Sequence, residues 1–296
     1  MKIAFTDFWQ YPKAFDPNNN FLTHLIKSSF FGAEVTTPDK ADVIIYTIFG
    51  NEHKKYDCKK IFFSGENKRP NYNECDYSIT FDVDDYDGRN IRIPLWLYYI
   101  DWFGVETYDN PEYLLPLNYI YGENEFNTKV KTKFCSAVYS NPIGLRNEFV
   151  NKLNIYNKVD CFGKVSGFNF LPDGEKFKMD LISDYKFNVC FENSIYPGYY
   201  TEKLLHAKVA GCVPIYYSDS DMDMDFNPKC CINLNDFESI DHLIEYIIEV
   251  DSDEELYKSI LNEPLFNNNI DFMEIQNKIK KIFYNRLKYT NLTLDT

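Results

Sequence analysis

Short runs rich in β-branched and aromatic residues alternate with polar or helix-patterned stretches twice along this chain, and that repeated alternation limits the folds open to it. The first series holds the runs Ile3–Thr6, Val43–Thr47, Lys60–Phe63 and Tyr77–Phe81, separated by segments such as the helix-patterned Phe21–Ser29. The second holds Phe134–Tyr139, a helix near Leu145–Leu153, Val159–Gly163, a helix around Glu175–Asp184, Phe187–Phe191, a helix over Glu202–Ala210, then Val213–Tyr217 and Cys231–Leu234. Strands that alternate with helices build parallel sheets, because each parallel pair needs a crossover long enough to hold a helix. The polar stretch Gly122–Lys133 reads as the linker between the two series. The expected organisation is therefore an α/β chain with a Rossmann-like domain over residues 1–130 and a second over 131–270. An amphipathic closing helix over 271–296 is able to pack back on the first domain. Open α/β sheets bind ligands at the carboxyl ends of their strands, so those ends are expected to face a central cleft.

At 296 residues, with 45% hydrophobic and 18% aromatic side chains, the chain has ample apolar surface for two cores. Its formal charge of −14 argues against nucleic acid, whose binding rests on clustered Lys and Arg. A phosphorylated small molecule remains open, since a few local cations and oriented backbone N–H groups suffice to hold one. The eight cysteines show no CxxC pair and read as buried thiols in a reducing compartment. No signal-peptide pattern and no apolar stretch of membrane-spanning length is seen, so the expectation is a cytoplasmic protein. Basic residues in the closing helix are compatible with peripheral attachment to the inner face of a membrane.

The window Phe187–Tyr217 carries the most chemistry: a strand, a polar loop with Pro197 and Gly198, a helix, and a second strand. Thr201 is placed as the helix N-cap, so the free N–H groups around Glu202 to Leu204 make a positive end suited to a diphosphate. Lys203 adds a full charge there. Glu202 has the acceptor chemistry for two neighbouring ribose hydroxyls, and Tyr199 can pack on a sugar or base. By local physics alone the same TEK triplet is also an ordinary helix start.

This window resembles the signature of the α-1,3-fucosyltransferases, glycosyltransferase family 10. The matching residues are Phe187, Phe191–Ser194, Tyr199, Thr201–Lys203 and Pro214. SGEN at Ser64–Asn67, the SNP segment with Arg146, and DFNPK at Asp225–Lys229 are similar to the soluble bacterial members and occur in the same order. The resemblance implies a GT-B architecture, two Rossmann-like domains facing a central cleft, and transfer of L-fucose from GDP-fucose to a sugar hydroxyl with inversion. It implies that Arg146 and Lys203 hold the GDP phosphates and Glu202 the ribose. Tyr199 then lines the donor pocket, Ser140 and Asn141 touch the nucleotide, and Asn193 faces the fucose. Glu66, just beyond an apolar run, resembles the family's catalytic carboxylate, the base that takes the acceptor proton. The implied acceptor is an oligosaccharide, with O3 of N-acetylglucosamine in an N-acetyllactosamine-type glycan as the site of attack.

Alternatives stay open from sequence alone. Arg146 can instead form a surface ion pair with Glu148 or Asp160, and Glu74 and Asp82 compete with Glu66. The DSDMDMD run at Asp219–Asp225 resembles the metal motif of other glycosyltransferases, although no obligatory cofactor is expected because Lys203, Arg146 and the helix end can meet the leaving-group charge. A transferase using another nucleotide sugar, or an inactive glycan-binding homologue, are the rival functions.

Overall fold

The structure is a computed structural model that describes residues 1–10, 13–122, 126, 129–140, 144–163, 175–219 and 221–287. The chain divides into two compact units. Unit 1 contains Met1–Tyr98, Thr107–Asn110 and the described residues from Ile270 onward; unit 2 contains Tyr99–Glu106 and Pro111–Asn269. The described residues of 111–130, placed with the first domain by sequence, thus cluster with unit 2.

In unit 1 the strands are β1 (Lys2–Thr6), β2 (Glu34–Val35), β3 (Val43–Tyr46), β4 (Lys59–Phe63), β5 (Tyr77–Thr80) and β6 (Asn90–Arg92). All are parallel, in the order β2-β1-β3-β4-β5-β6. Helix α1 (Phe21–Ser29) follows β1 and buries one stripe, Phe21, Leu22, Leu25 and Ile26. Asn20 caps it by accepting from the Thr23 N–H at 2.9 Å. The carboxyl end of β1 turns sharply at Asp7, whose φ is +61°. The Asp7 carboxylate accepts from the backbone N–H groups of Glu52 and His53 and from His53 Nδ1, tying the loop after β3 to the end of β1.

Unit 2 has α2 (Leu117–Tyr121), β7 (Lys133–Val138), α3 (Leu145–Tyr156), β8 (Val159–Phe162), α4 (Glu175–Ile182), β9 (Tyr185–Phe191), α5 (Glu202–Val209), β10 (Val213–Tyr217), β11 (Ile232–Asn233), α6 (Ile240–Ser252) and α7 (Glu254–Leu261). Its sheet is also parallel, in the order β8-β7-β9-β10-β11. Counted within the unit, that is 2-1-3-4-5, the order in which unit 1 begins. In such a sheet the first strand sends its crossover to one side and the third sends its crossover to the other, leaving a crevice at their carboxyl ends where ligands bind. In unit 2 those strands are β7 and β9. The inward residues Phe134, Phe149, Phe187, Phe191, Ile215, Leu243 and Ile247 make one continuous core under α3 and α6.

The last helix, α8 (Phe272–Leu287), belongs to unit 1 and packs on α1, with Phe272 edge-on to Phe21 and Phe283 edge-on to Phe30 at ring separations of 6.3 and 5.4 Å. All eight cysteines are free thiols, Cys58 and Cys161 half-buried and the rest buried. No described helix is long and apolar enough to cross a membrane.

The exit of β8 runs against the exit of β7. Gly163 there has φ +142°, and a Cβ on it would overlap the Tyr139 carbonyl oxygen. Gly163→Ala therefore meets both a backbone conformation closed to side chains and a steric conflict with main chain. It is expected to lower stability by about 2–3 kcal/mol, read as a fall in the urea midpoint with unchanged slope.

Candidate active site

The Arg146 side chain bridges the carboxyl ends of β7 and β9. Arg146 lies in the first turn of α3, which leaves the β7 end. It is buried, with 6% exposure. Its Nη2 donates to the Phe191 carbonyl oxygen at the end of β9 and, at 3.1 Å, to Asn193 Oδ1, while its guanidinium lies 4.8 Å from the Tyr139 ring centroid. Burial lowers its pKa and nearby Tyr139 and Glu192 oppose that; a guanidinium keeps its charge throughout. The surface ion pair open from sequence is not what forms: Glu148 pairs with Lys152 and Asp160 with Lys158. Arg146 instead brings a buried cation to the crevice.

Across the same crevice, α5 begins. Thr201 occupies its N-cap position, as expected, yet its side chain caps nothing. The hydroxyl donates instead to the Glu192 carboxylate, at 3.0 Å from Oε1 and 2.8 Å from Oε2, and accepts from Lys203 Nζ at 2.7 Å. Helix α3 likewise starts without a side-chain cap, whereas α1, α6 and α7 are each capped by their own Asn, Ser or Asp. Uncapped first-turn N–H groups leave partial positive charge facing outward, the arrangement that receives an anion.

Glu192, the residue after β9, received no role from sequence. Its carboxylate has no exposure and forms an ion pair with Lys203 at 2.9 Å. It also accepts from the Thr201 N–H at 2.8 Å and the Tyr216 hydroxyl at 3.3 Å. Removing one member of such a buried pair typically costs about 3–5 kcal/mol, because the other charge is stranded. Burial alone would lower the Lys203 pKa, but Glu192 and Glu202 outweigh it and the net shift is upward. The ammonium therefore stays charged far above neutral pH.

Glu202 pairs with Lys178 of α4 at 3.5 Å. Burial would raise its pKa, yet Lys203 and Lys178 prevail and bring it down to about 2. Lys178 also donates to His206 Nδ1 at 3.1 Å. His206 is buried, and burial followed by Lys178 holds its pKa well below the usual value, so it is neutral at pH 7. Among the described residues the cluster sets three cations, Arg146, Lys178 and Lys203, against the carboxylates of Glu192 and Glu202.

The Glu202 shift has a sign that can be tested. A carboxylate whose folded pKa lies below its unfolded value of 4.5 adds stability that is complete above about pH 4.5 and lost as pH falls through about 2. Glu202→Gln is expected to be less stable than the parent at pH 7, with the difference shrinking as pH is lowered through that window; urea unfolding at a series of pH values checks it.

Tyr199 is buried, with 3% exposure, in the loop before α5, while Asn193 is exposed and Ser140 is exposed just after β7. Asn141 lies outside the described residues. In unit 1, Glu66 follows β4 and is exposed. Its backbone N–H donates to Ser64 Oγ at 3.1 Å, and Gly65 allows the turn to pass Leu95, whose Cδ1 would sit 2.8 Å from a Cβ there. Among the described residues the Glu66 carboxylate makes no ion pair or hydrogen bond. Its rivals are engaged: Glu74 binds Lys54 and His53, and Asp82 is buried against Arg69 at 3.0 Å. Among the described residues no three His, Cys, Asp or Glu side chains are grouped to hold a metal. Asp219, from the acidic run, accepts from the Gly198 N–H at 3.1 Å and so braces the loop before α5.

Two parallel α/β units, the second with an uncapped helix start at the carboxyl edge of its sheet, are the architecture this chain shares with solved fucosyltransferases of the GT-B class. Residues 3–99 match the alpha-(1,3)-fucosyltransferase FucT N-terminal domain, and residues 127–263 match the C-terminal part of glycosyltransferase family 10 (fucosyltransferase). The chain is 30% identical to alpha-(1,3)-fucosyltransferase FucT of Helicobacter pylori over 98% of its own length and 67% of that protein's. It is 35% identical to human 4-galactosyl-N-acetylglucosaminide 3-alpha-L-fucosyltransferase FUT6 over 138 residues, 45% of this chain and 37% of that one. Among solved structures it resembles an alpha1,3-fucosyltransferase with GDP-fucose, with a TM-score of 0.73 and 27% identity, over 96% of this chain and 90% of that one. The chain belongs to glycosyltransferase family 10, the fucosyltransferases.

Proposed function

We propose that the protein transfers L-fucose from GDP-fucose to an oligosaccharide hydroxyl by a single displacement that inverts the anomeric centre. The observation that carries this reading is the Arg146 guanidinium bridging the ends of β7 and β9, beside the uncapped start of α5 with its ionised Lys203. Together they supply two cations and a row of free N–H groups for the two phosphates. In this reading Glu202 holds the ribose hydroxyls, Tyr199, Ser140 and Asn141 border the nucleotide, and Asn193, already oriented by Arg146, meets the fucose. Glu66 takes the proton from the acceptor hydroxyl as its oxygen attacks C1 of fucose. The bond from C1 to the diphosphate oxygen breaks on the opposite side, and Lys203 and Arg146 stabilise the charge that develops on GDP.

The acceptor proposed is an N-acetyllactosamine-type glycan, attacked at O3 of N-acetylglucosamine; its support is the likeness to the human enzyme named above, which matches this chain over 138 residues. The free thiols fit action in a reducing compartment such as the cytoplasm. Incubation with GDP-β-L-fucose and N-acetyllactosamine, followed by proton NMR of the product, tests the reading. An α-linked fucose on O3, formed at the same rate with EDTA present, is the expected result. A β-linked product would exclude single displacement, and linkage to another oxygen would exclude the O3 assignment.

A further inference from the structure

The Glu192 carboxylate lies beside the groups that receive the diphosphate, which is an unexpected place for a negative charge. Its geometry gives it a use. We propose that Glu192 is the positioning residue of the donor site, acting on the nucleotide sugar only through Lys203 and Thr201. The inference rests on the donor-binding role given to Lys203 above.

Three contacts carry it. Lys203 Nζ is held between Glu192 Oε2 at 2.9 Å and Thr201 Oγ1 at 2.7 Å, so a flexible four-carbon side chain is fixed before any ligand arrives. Fixing such a chain in advance removes an ordering cost from binding. The Thr201 hydroxyl, turned into the carboxylate, is withdrawn from the capping role that its position at the helix start would otherwise give it, so the first-turn N–H groups of α5 stay open. The Thr201 N–H and the Tyr216 hydroxyl occupy further acceptor sites of the carboxylate and lock its orientation. With its oxygens facing these donors and its side chain without solvent exposure, Glu192 presents its charge to Lys203 rather than to a ligand. A glutamine there has the same shape but supplies neither the second strong acceptor nor the charge.

A double-mutant cycle separates this role from a merely structural one. GDP binding is measured by calorimetry for the parent, Glu192→Gln, Lys203→Ala and the double variant, with thermal unfolding recorded for each. Expected is a loss of about tenfold in GDP affinity on Glu192→Gln in the parent, falling to less than about twofold when Lys203 is already Ala. Losses that multiply in the double variant, or parent-like affinity in Glu192→Gln, overturn the proposal. A parent that does not bind GDP, or a Lys203→Ala variant that binds it unchanged, overturns the donor-site reading itself and is distinguishable from the first failure. Should Glu192→Gln fail to fold, Thr201→Val and Thr201→Ser decide: Val is expected to weaken GDP binding and Ser to leave it within about twofold, and equal behaviour of the two counts against the proposal.

Discussion

Glu66→Gln is expected to slow fucosyl transfer by about 10²–10⁴-fold while leaving GDP binding unchanged. The amide keeps the shape of the side chain but cannot accept a proton, so only the step in which the acceptor hydroxyl is deprotonated is affected. Glu66 is suited to this test because its carboxylate is exposed and unengaged among the described residues, so the substitution breaks no internal contact. Glu74 and Asp82, each tied to a cation, serve as controls: Glu74→Gln is expected to change transfer by less than about threefold. Steady-state kinetics with saturating donor, paired with GDP calorimetry, gives both readouts. An equal fall in Glu66→Gln and Glu74→Gln would remove Glu66 from the catalytic role.

Arg146→Ala is expected to lower kcat/KM for GDP-fucose by about 10²–10³-fold, since in the proposed donor site the variant loses the buried cation that meets developing phosphate charge. Arg146→Lys is expected to recover little of this. A guanidinium reaches both the Phe191 carbonyl and Asn193 from a planar, rigid fork; a lysine ammonium is a point charge that cannot reproduce that fork. Stability also falls, because the Phe191 carbonyl loses its donor at a buried site, by about 1–3 kcal/mol. The two effects separate by measuring kinetics well below the unfolding temperature. Full recovery by Lys would mean that charge alone, not the bridging of β7 and β9, is what the site requires.

The two parallel sheets are legible in the sequence because their central strands are continuous apolar runs, as strands buried on both faces must be. Val43–Tyr46, Phe187–Phe191 and Val213–Tyr217 fall where those runs lie. Edge strands β2 and β6 are two and three residues long, too short to show any period, and escape such a reading. Helices α6 and α7 carry clear caps at Ser239 and Asp253 that sequence alone could have supplied. Site residues divide in the same way. Thr201, Glu202 and Lys203 are marked by a local signal, a helix start, and the structure keeps them at one. What the local signal cannot give is the long-range partner. The Thr201 hydroxyl turns to Glu192 instead of its own helix because β9 and α5 are brought side by side, and Lys178 meets Glu202 and His206 only through the packing of α4 on α5. Arg146 likewise looks like an ordinary helix-surface arginine until the exits of β7 and β9 are seen as neighbours.

The proposed GDP-fucose site at the exits of β7 and β9 is tested by acceptor-dependent release of GDP from GDP-fucose, with Lys203→Ala alongside and GDP-mannose and UDP-galactose as competing donors. Release from GDP-fucose and from neither other donor, dependent on acceptor and strongly reduced in the variant, is the expected result. Equal use of the other donors, or release that does not depend on Lys203, would contradict it.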